Sequence, residues 1–443
     1  MSTRDLTQGA VPVSLFRLTA PMMAGVSANI LVGMLEIGFI GQLSTHHVAA
    51  ITFTFPVTMI LSSIALGIGI GTSSVIARSV GARATEEVRR LGAHAIVLVI
   101  AAMSVLSLVG YLTIDPVFTV LGASTDVLTL IHSYLDIYYP TMVLFTVTMV
   151  AGNIMRANGN AAVPGLVMTL GALANLGMDP LLIFGWFGLP RLELAGAAVA
   201  AAISRLGTAS VLLYYVGRGD LIITRDIFSG LAGSARQILH IGLPAMATQL
   251  IGPVSGALIT RLLAGHGAVV VAGFGVATRI EAVAVMILFA LSASIGPFVG
   301  QNWGGGHPER VREGLRVTYQ FCLAWGVLVA IPLAVIGGHV ASLVNDSPEV
   351  IATAAWYLSV VPWSYGFWGV LMMSSASFNA LGKPLPSTAL SFSRMFILYI
   401  PLALLLDHFF GYHGIFIATA VSNGLMGVLG FLWFRRRFFP RGG

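Results

Sequence analysis

From Val11 to Phe434 the chain is a succession of long apolar stretches separated by short polar or glycine-containing breaks. Each stretch is long enough to cross a hydrocarbon core of about 30 Å as a helix of roughly 20 residues. The pattern predicts spans near 13–40, 48–77, 91–113, 127–155, 164–187, 196–216, 238–264, 269–300, 314–338, 350–377, 386–406 and 414–434. In lipid, only helices and closed barrels satisfy every backbone hydrogen bond, and these runs are too long for barrel strands. The expected fold is therefore an all-α integral membrane protein with twelve transmembrane helices. No Ala-x-Ala site follows the first run, and a second span comes at once, so the first run reads as a mature helix rather than a removed signal.

The pattern repeats. The segment "RSVGARATEEVRRLG" follows span 2 and "QNWGGGHPERVREGL" follows span 8. A shift of 223 residues superposes Gly81 on Gly304, Val88 on Val311 and Arg89 on Arg312. It also superposes Pro21 on Pro244, Gly33 on Gly256 and Tyr134 on Tyr357. After small gaps, "GAAVAAAIS" from Gly196 answers "GIFIATAVS" from Gly414. The reading is two pseudo-symmetric six-helix lobes, 1–216 and 237–443, joined by a polar, Gly-containing linker over 217–236. The shift covers an even number of crossings, so the copies run in parallel about an axis along the membrane normal. Two bodies rocking about a midplane site suit alternating access by a transporter.

Composition changes this picture little: 57% of the 443 residues are hydrophobic and 9% charged, against about a quarter charged in soluble domains. The net charge of +6 invites nucleic acid as a partner, but its distribution argues otherwise. Of 23 Lys and Arg, 18 lie in or at the edge of the amino terminus, the even-numbered loops or the carboxyl tail "FRRRFFP", four lie inside spans, and Arg191 alone falls on the other side. That bias predicts both termini in the cytoplasm, with no role in nucleic-acid binding; the location expected for the chain is a prokaryotic inner membrane. Cys322 is the only cysteine, which excludes an intramolecular disulfide and reads as an inert packed thiol.

An ionisable group at bilayer depth costs about 2.5–3.5 kcal/mol on insertion scales, so each needs a partner or a function. Span 1 carries Glu36 between Gly33 and Gly38, with Asn29 about two turns earlier. In span 5, "NLGMDPLLI" places Asn175 and Asp179 four apart on one helical face, and Pro180 frees a backbone carbonyl nearby. If the two spans meet, Glu36, Asn175 and Asp179 form a carboxylate pair with an amide beside it. Two carboxylates in a dry cavity cannot both ionise cheaply, which suits uptake of a proton or a small cation such as Na+. The bland reading of Asp179 is a cap or snorkel at the helix end. Under the 223-residue shift Glu36 corresponds to Ile259, and the span answering Asp179 keeps Pro401 but has no acid, so the function belongs to one lobe.

The second lobe instead carries Arg261, Arg279, Glu281 and Arg394 inside spans, and Arg261 with Glu281 is expected to form a structural ion pair. Arg205 in span 6 takes no assignment. Candidates for a substrate cavity are Asn29, Met34, Asp136, Tyr139 and Met149; an interfacial aromatic belt explains the tyrosines as well, and packing filler explains most methionines. His46 and His47 adjoin in the first outer loop. No spacing of His, Cys or acids resembles a zinc or haem site, and no nucleotide motif sits in a matching context, so the expectation is no cofactor, no enzyme chemistry and an ion gradient as the driver.

Five segments resemble the multidrug and toxic compound extrusion family: "EIGFIGQLS" in span 1, "VIARSVGARATEEVRR" after span 2, "IMRANGNAAVP" from Ile154, "NLGMDPLLIFGWFGL" in span 5 and "FVGQNWGGGHPERVREG" after span 8. The likeness covers nearly the whole chain. Within the family, acids confined to the first lobe resemble the branch of DNA-damage-inducible transporters. The resemblance implies a cation-coupled antiporter of amphipathic, often cationic compounds, with Glu36, Asn175 and Asp179 matching the coupling cluster. Two departures stand out: the span 1 acid is usually Asp, and Ala201 stands where the family often has Thr. Losing that hydroxyl removes an oxygen ligand and favours H+ over Na+. The expectation is a monomeric multidrug exporter of drug-like small molecules. A lipid-linked oligosaccharide flippase of the same superfamily is the alternative, and a channel or a membrane enzyme is less favoured.

Overall fold

A computed structural model describes residues 5–223 and 225–438, so Thr224 in the linker and the end of the "FRRRFFP" tail lie outside the described residues. The described chain is helical throughout, without strands. The helices are α1 (Val11–Gly41), α2 (Thr45–Gly81), α3 (Thr85–Leu112), α4 (Thr125–Ala157), α5 (Ala162–Ile183), α6 (Glu193–Arg218), α7 (Leu231–Ala264), α8 (Ala268–Gly304) and α9 (Pro308–Ser342). They continue as α10 in two halves (Pro348–Val360 and Tyr365–Ala380), α11 (Pro384–Phe410) and α12 (Tyr412–Phe438). A short helix, Ile114–Val120, follows α3. Eleven of these are unbroken and apolar enough to cross a membrane, and the interrupted α10 makes the twelfth.

Prolines account for the departures from the expected spans. Pro362 falls in the 3₁₀ turn Val361–Ser364 that splits α10, where the apolar run reads as one continuous span. Pro401 lacks the N–H that the carbonyl four residues earlier needs, and the preceding turns of α11 widen into a π-helix over Ser393–Tyr399. Span 5, expected to reach 187, stops at Ile183, where Phe184 caps onto the Pro180 carbonyl and Gly185 turns into the left-handed region. The connection between the lobes is helical at both margins. Its remaining part is tied to the first lobe: Ile223 N–H donates to the Arg89 carbonyl at 3.2 Å, and Arg89 pairs with Asp220.

Within the first lobe α1 lies along α5, while α4 packs on α2, α3 and α6; the lobes meet where α1 and α2 face α7 and α8. The duplication is visible in that seam. Arg78 Nη1 on α2 donates to the Ala380 carbonyl at 2.8 Å, and Gln301 Nε2 on α8 donates to the Ala157 carbonyl at 2.7 Å. The 223-residue shift turns each bond into the other. Gly81 and Gly304, also equivalent, sit beside these donors. A Cβ on Gly81 would lie 2.0 Å from the Gln301 carbonyl oxygen, and one on Gly304 would lie 2.1 Å from that of Arg78, so only glycine permits this approach.

The amino-terminal segment closes over the same place. Leu6 is buried, its N–H donates to Gln301 Oε1 at 3.0 Å, and Arg310 donates to the carbonyls of Leu6, Gln8 and Gly9. Phe438 stacks edge-on against Trp303 nearby, so both described chain ends lie at this basic end of the bundle. At the opposite end the polar pairs His47–Glu193 and His266–Asp407 each stay within one lobe. The lobes are thus locked together at the basic end and not by these pairs at the other.

Candidate functional site

The helical periodicity of α5 brings Asn175 and Asp179 to one face, as expected from their spacing. Asn175 Nδ2 donates to Asp179 Oδ2 at 3.2 Å. Asp179 lies one turn from the end of α5 yet is fully buried, so it neither caps the helix nor snorkels. Its other oxygen, Oδ1, and the Asn175 carbonyl oxygen are both buried without a hydrogen-bond partner. An unpaired buried acceptor costs about 1–3 kcal/mol, more when charged. Here two occur on adjacent turns.

α1 supplies the third member. Glu36 is half-buried on the helix that packs along α5, and the Glu36 and Asp179 carboxyls stand within electrostatic range of each other. Tyr134 on α4 is buried and interacts electrostatically with both acids. Its ring stacks on Tyr138, with centroids 5.5 Å apart.

Arg205, which the sequence left unassigned, completes the group. Its guanidinium lies 4.6 Å from the centroid of Tyr138 and 5.4 Å from that of Phe145, and Nη1 donates to Thr141 Oγ1 at 3.3 Å. Its charge reaches Glu36 without closing an ion pair with it. The signal available in the sequence was an arginine in mid-span in the lobe that carries the acids. The site therefore combines two acids, an amide and a cation held against aromatic rings.

Other candidates lie elsewhere. Asp136 is exposed and pairs with His132 at 3.3 Å, which also meets Asp115 at 3.1 Å, at the end of α4 opposite the basic end. Tyr139 is buried with its ring against Gly110 on α3, a packing contact and not a cavity wall. Asn29 donates to the Gly25 carbonyl of its own helix at 3.0 Å. Met34 and Met149 are half-buried. The expected Arg261–Glu281 ion pair is absent. Arg261 is exposed, and Glu281 Oε2 accepts from the Tyr357 hydroxyl at 2.5 Å and the Tyr365 hydroxyl at 3.0 Å. Two phenols arriving from the halves of α10 satisfy the acid that sequence spacing assigned to an arginine.

Two six-helix lobes, one of them holding a buried, unsatisfied acid beside a second acid, are the architecture of a membrane transporter. The MatE family model matches residues 21–181 and again 244–405, and the chain belongs to that family. The two matches begin 223 residues apart, as the repeat requires. A Shewanella oneidensis protein named as a FAD transporter is 35% identical over 94% of this chain and 92% of its own length. The multidrug export protein MepA of Staphylococcus aureus is 24% identical over 93% of this chain and 91% of its own. The crystal structure of the Vibrio cholerae MATE transporter VcmN in the bent form superposes with a TM-score of 0.92 at 31% identity, covering 97% of both chains.

Proposed function

We propose that this transporter is a cation-coupled antiporter of amphipathic compounds, driven by protons in preference to sodium. The observation that carries the proposal is the buried Asp179, with Oδ1 unpartnered beside an equally unpartnered Asn175 oxygen and a second acid on α1. A proton on Asp179 supplies the donor this pair lacks, and it relieves the repulsion from Glu36. A sodium ion needs several oxygens, and Ala201 offers no side-chain oxygen where the family often has a hydroxyl.

The charge bias of the loops orients the basic, locked end toward the cytoplasm of the cell, with both termini there and the lobes parting toward the outside. In that state the cation loads on Asp179 and Glu36. Cation and exported compound favour opposite states of the two lobes, because a ligand shifts such an equilibrium only by its differential affinity for them. The parting and rejoining of the Arg78 and Gln301 contacts then separates the two states. In inside-out vesicles, addition of a lipophilic cationic dye is expected to dissipate an imposed proton gradient. The proposal fails if dyes leave both proton and sodium gradients intact.

A second reading concerns the cargo. The 35% identical relative carries a dinucleotide by name, and Arg205 between Tyr138 and Phe145 offers a cation and aromatic faces suited to phosphate and flavin rings. Uptake of FAD against uptake of a cationic dye in the same vesicles separates the two readings. Competition by FAD that Arg205→Gln abolishes favours the dinucleotide; dye transport indifferent to FAD favours the amphipathic cation.

A further inference from the structure

A second polar site lies outside the acid cluster. At the basic end, a cavity of about 260 Å³ lies between α2, α7 and the turn joining α10 to α11. Val75 and Arg78 line it from α2, Arg236, Gln237 and His240 from α7, and Gly382 from the turn. No acid lines it; Glu87, at the start of α3, acts on Arg78 only from outside the cavity.

Arg78 spends one nitrogen on the lobe seam, Nη1 donating to Ser74 Oγ at 2.7 Å and the Ala380 carbonyl at 2.8 Å. Its Nε and Nη2 take no partner among the described residues. Gly382, at φ +72°, leaves the guanidinium face uncovered, since a Cβ there would lie 3.3 Å from Cζ. Arg236 and His240 are four residues apart on one face of α7, both exposed and without a hydrogen-bond or ion-pair partner among the described residues. Two arginines, a histidine and an amide thus converge on one space, with donors free and no counter-charge in the lining.

We propose that this junction binds a phosphate group, carried by an anionic lipid headgroup or by a soluble phosphate compound. Guanidinium forks match the oxygens of phosphate, and basic pockets between transmembrane helices on the cytoplasmic side hold anionic headgroups. The lining comes from both lobes, so the site is complete only while the basic end is closed, and an occupant stabilises that state by its differential affinity. The occupant regulates the transport cycle from a place that the exported compound does not share.

The test uses the full chain in nanodiscs. Pyrophosphate is titrated into phosphatidylcholine discs, and native mass spectrometry counts phosphatidylglycerol retained from mixed discs. Saturable binding of either probe that Arg236→Gln weakens about fivefold, the loss expected for one cation, supports the site. The probe that binds names the source of the phosphate. His240→Gln is expected to weaken binding further, and Arg90→Gln, on the same end but outside the lining, to leave it unchanged. The proposal is overturned if neither probe binds better than phosphatidylcholine does, or if Arg90→Gln weakens binding as much as Arg236→Gln.

Discussion

In the second lobe, Glu281 accepts hydrogen bonds from Tyr357 and Tyr365, whereas in the first, Tyr134 stands beside Glu36 and Asp179 and bonds to neither. The 223-residue shift superposes Tyr134 on Tyr357, so the same phenol position meets an acid in both copies. In one lobe the acid's demand is met by the protein, and the result is a fixed structural contact. In the other, Asp179 Oδ1 is left without a donor, and the protein does not meet the demand. A duplicated scaffold has a braced acid on one side and, on the other, an unbraced one at which the proposed loading of a cation would fall. The seam between the lobes makes the contrast sharper, because Arg78 and Gln301 keep the twofold relation that the acids have lost.

The largest effect is expected from removing the proposed loading site. Glu36→Gln combined with Asp179→Asn should cut gradient-driven export by about 5- to 150-fold, the span of typical coupling energies, with the protein still folded. Steady-state accumulation in vesicles under an imposed gradient reads this directly. Removing the brace should act on stability instead. Tyr357→Phe together with Tyr365→Phe leaves Glu281 unpaired and should cost about 1–3 kcal/mol, seen as a lower thermal midpoint in detergent, while export still responds to the gradient. If the two double variants exchange phenotypes, the assignment of the lobes is wrong.

The symmetric lock offers a smaller and more even effect. Arg78→Ala and Gln301→Ala each remove one of the paired bonds across the seam, worth about 1–3 kcal/mol, and each should raise the population with the basic end open. Distances between spin labels on the two lobes at that end measure it, and unequal outcomes would mean that the lock is less symmetric than its geometry. Least of all is expected from Arg261→Gln. An exposed residue without a partner on Glu281 should change stability by no more than about 0.5 kcal/mol.

The spans and the repeat were legible because both rest on features of the chain alone, run length and a fixed offset. Asn175 and Asp179 were legible for the same reason, since four residues return a helix to the same face. What was not legible needed the third dimension. In α4, Asp136 meets His132, which also meets Asp115, while Tyr139 packs on α3, and no spacing within one helix says which neighbour a face will meet. The partners of Glu281 come from residues 76 and 84 positions away, where an arginine nearer in sequence looked the simpler match. Arg205 stayed unassigned because its rings lie on another helix. The break in α10 was hidden by apolar residues on both sides of Pro362, which keep the hydropathy high while the proline interrupts the helix.

Loading of the driving cation on Asp179 with Glu36 is the core of the proposed mechanism. It is tested most directly by measuring export of one cationic dye from the same vesicles under an imposed proton gradient and, separately, an imposed sodium gradient, for the parent chain and for Asp179→Asn. Export driven by the proton gradient is expected in the parent and is expected to be lost in the variant. Export that proceeds equally in Asp179→Asn under the same gradient would contradict it.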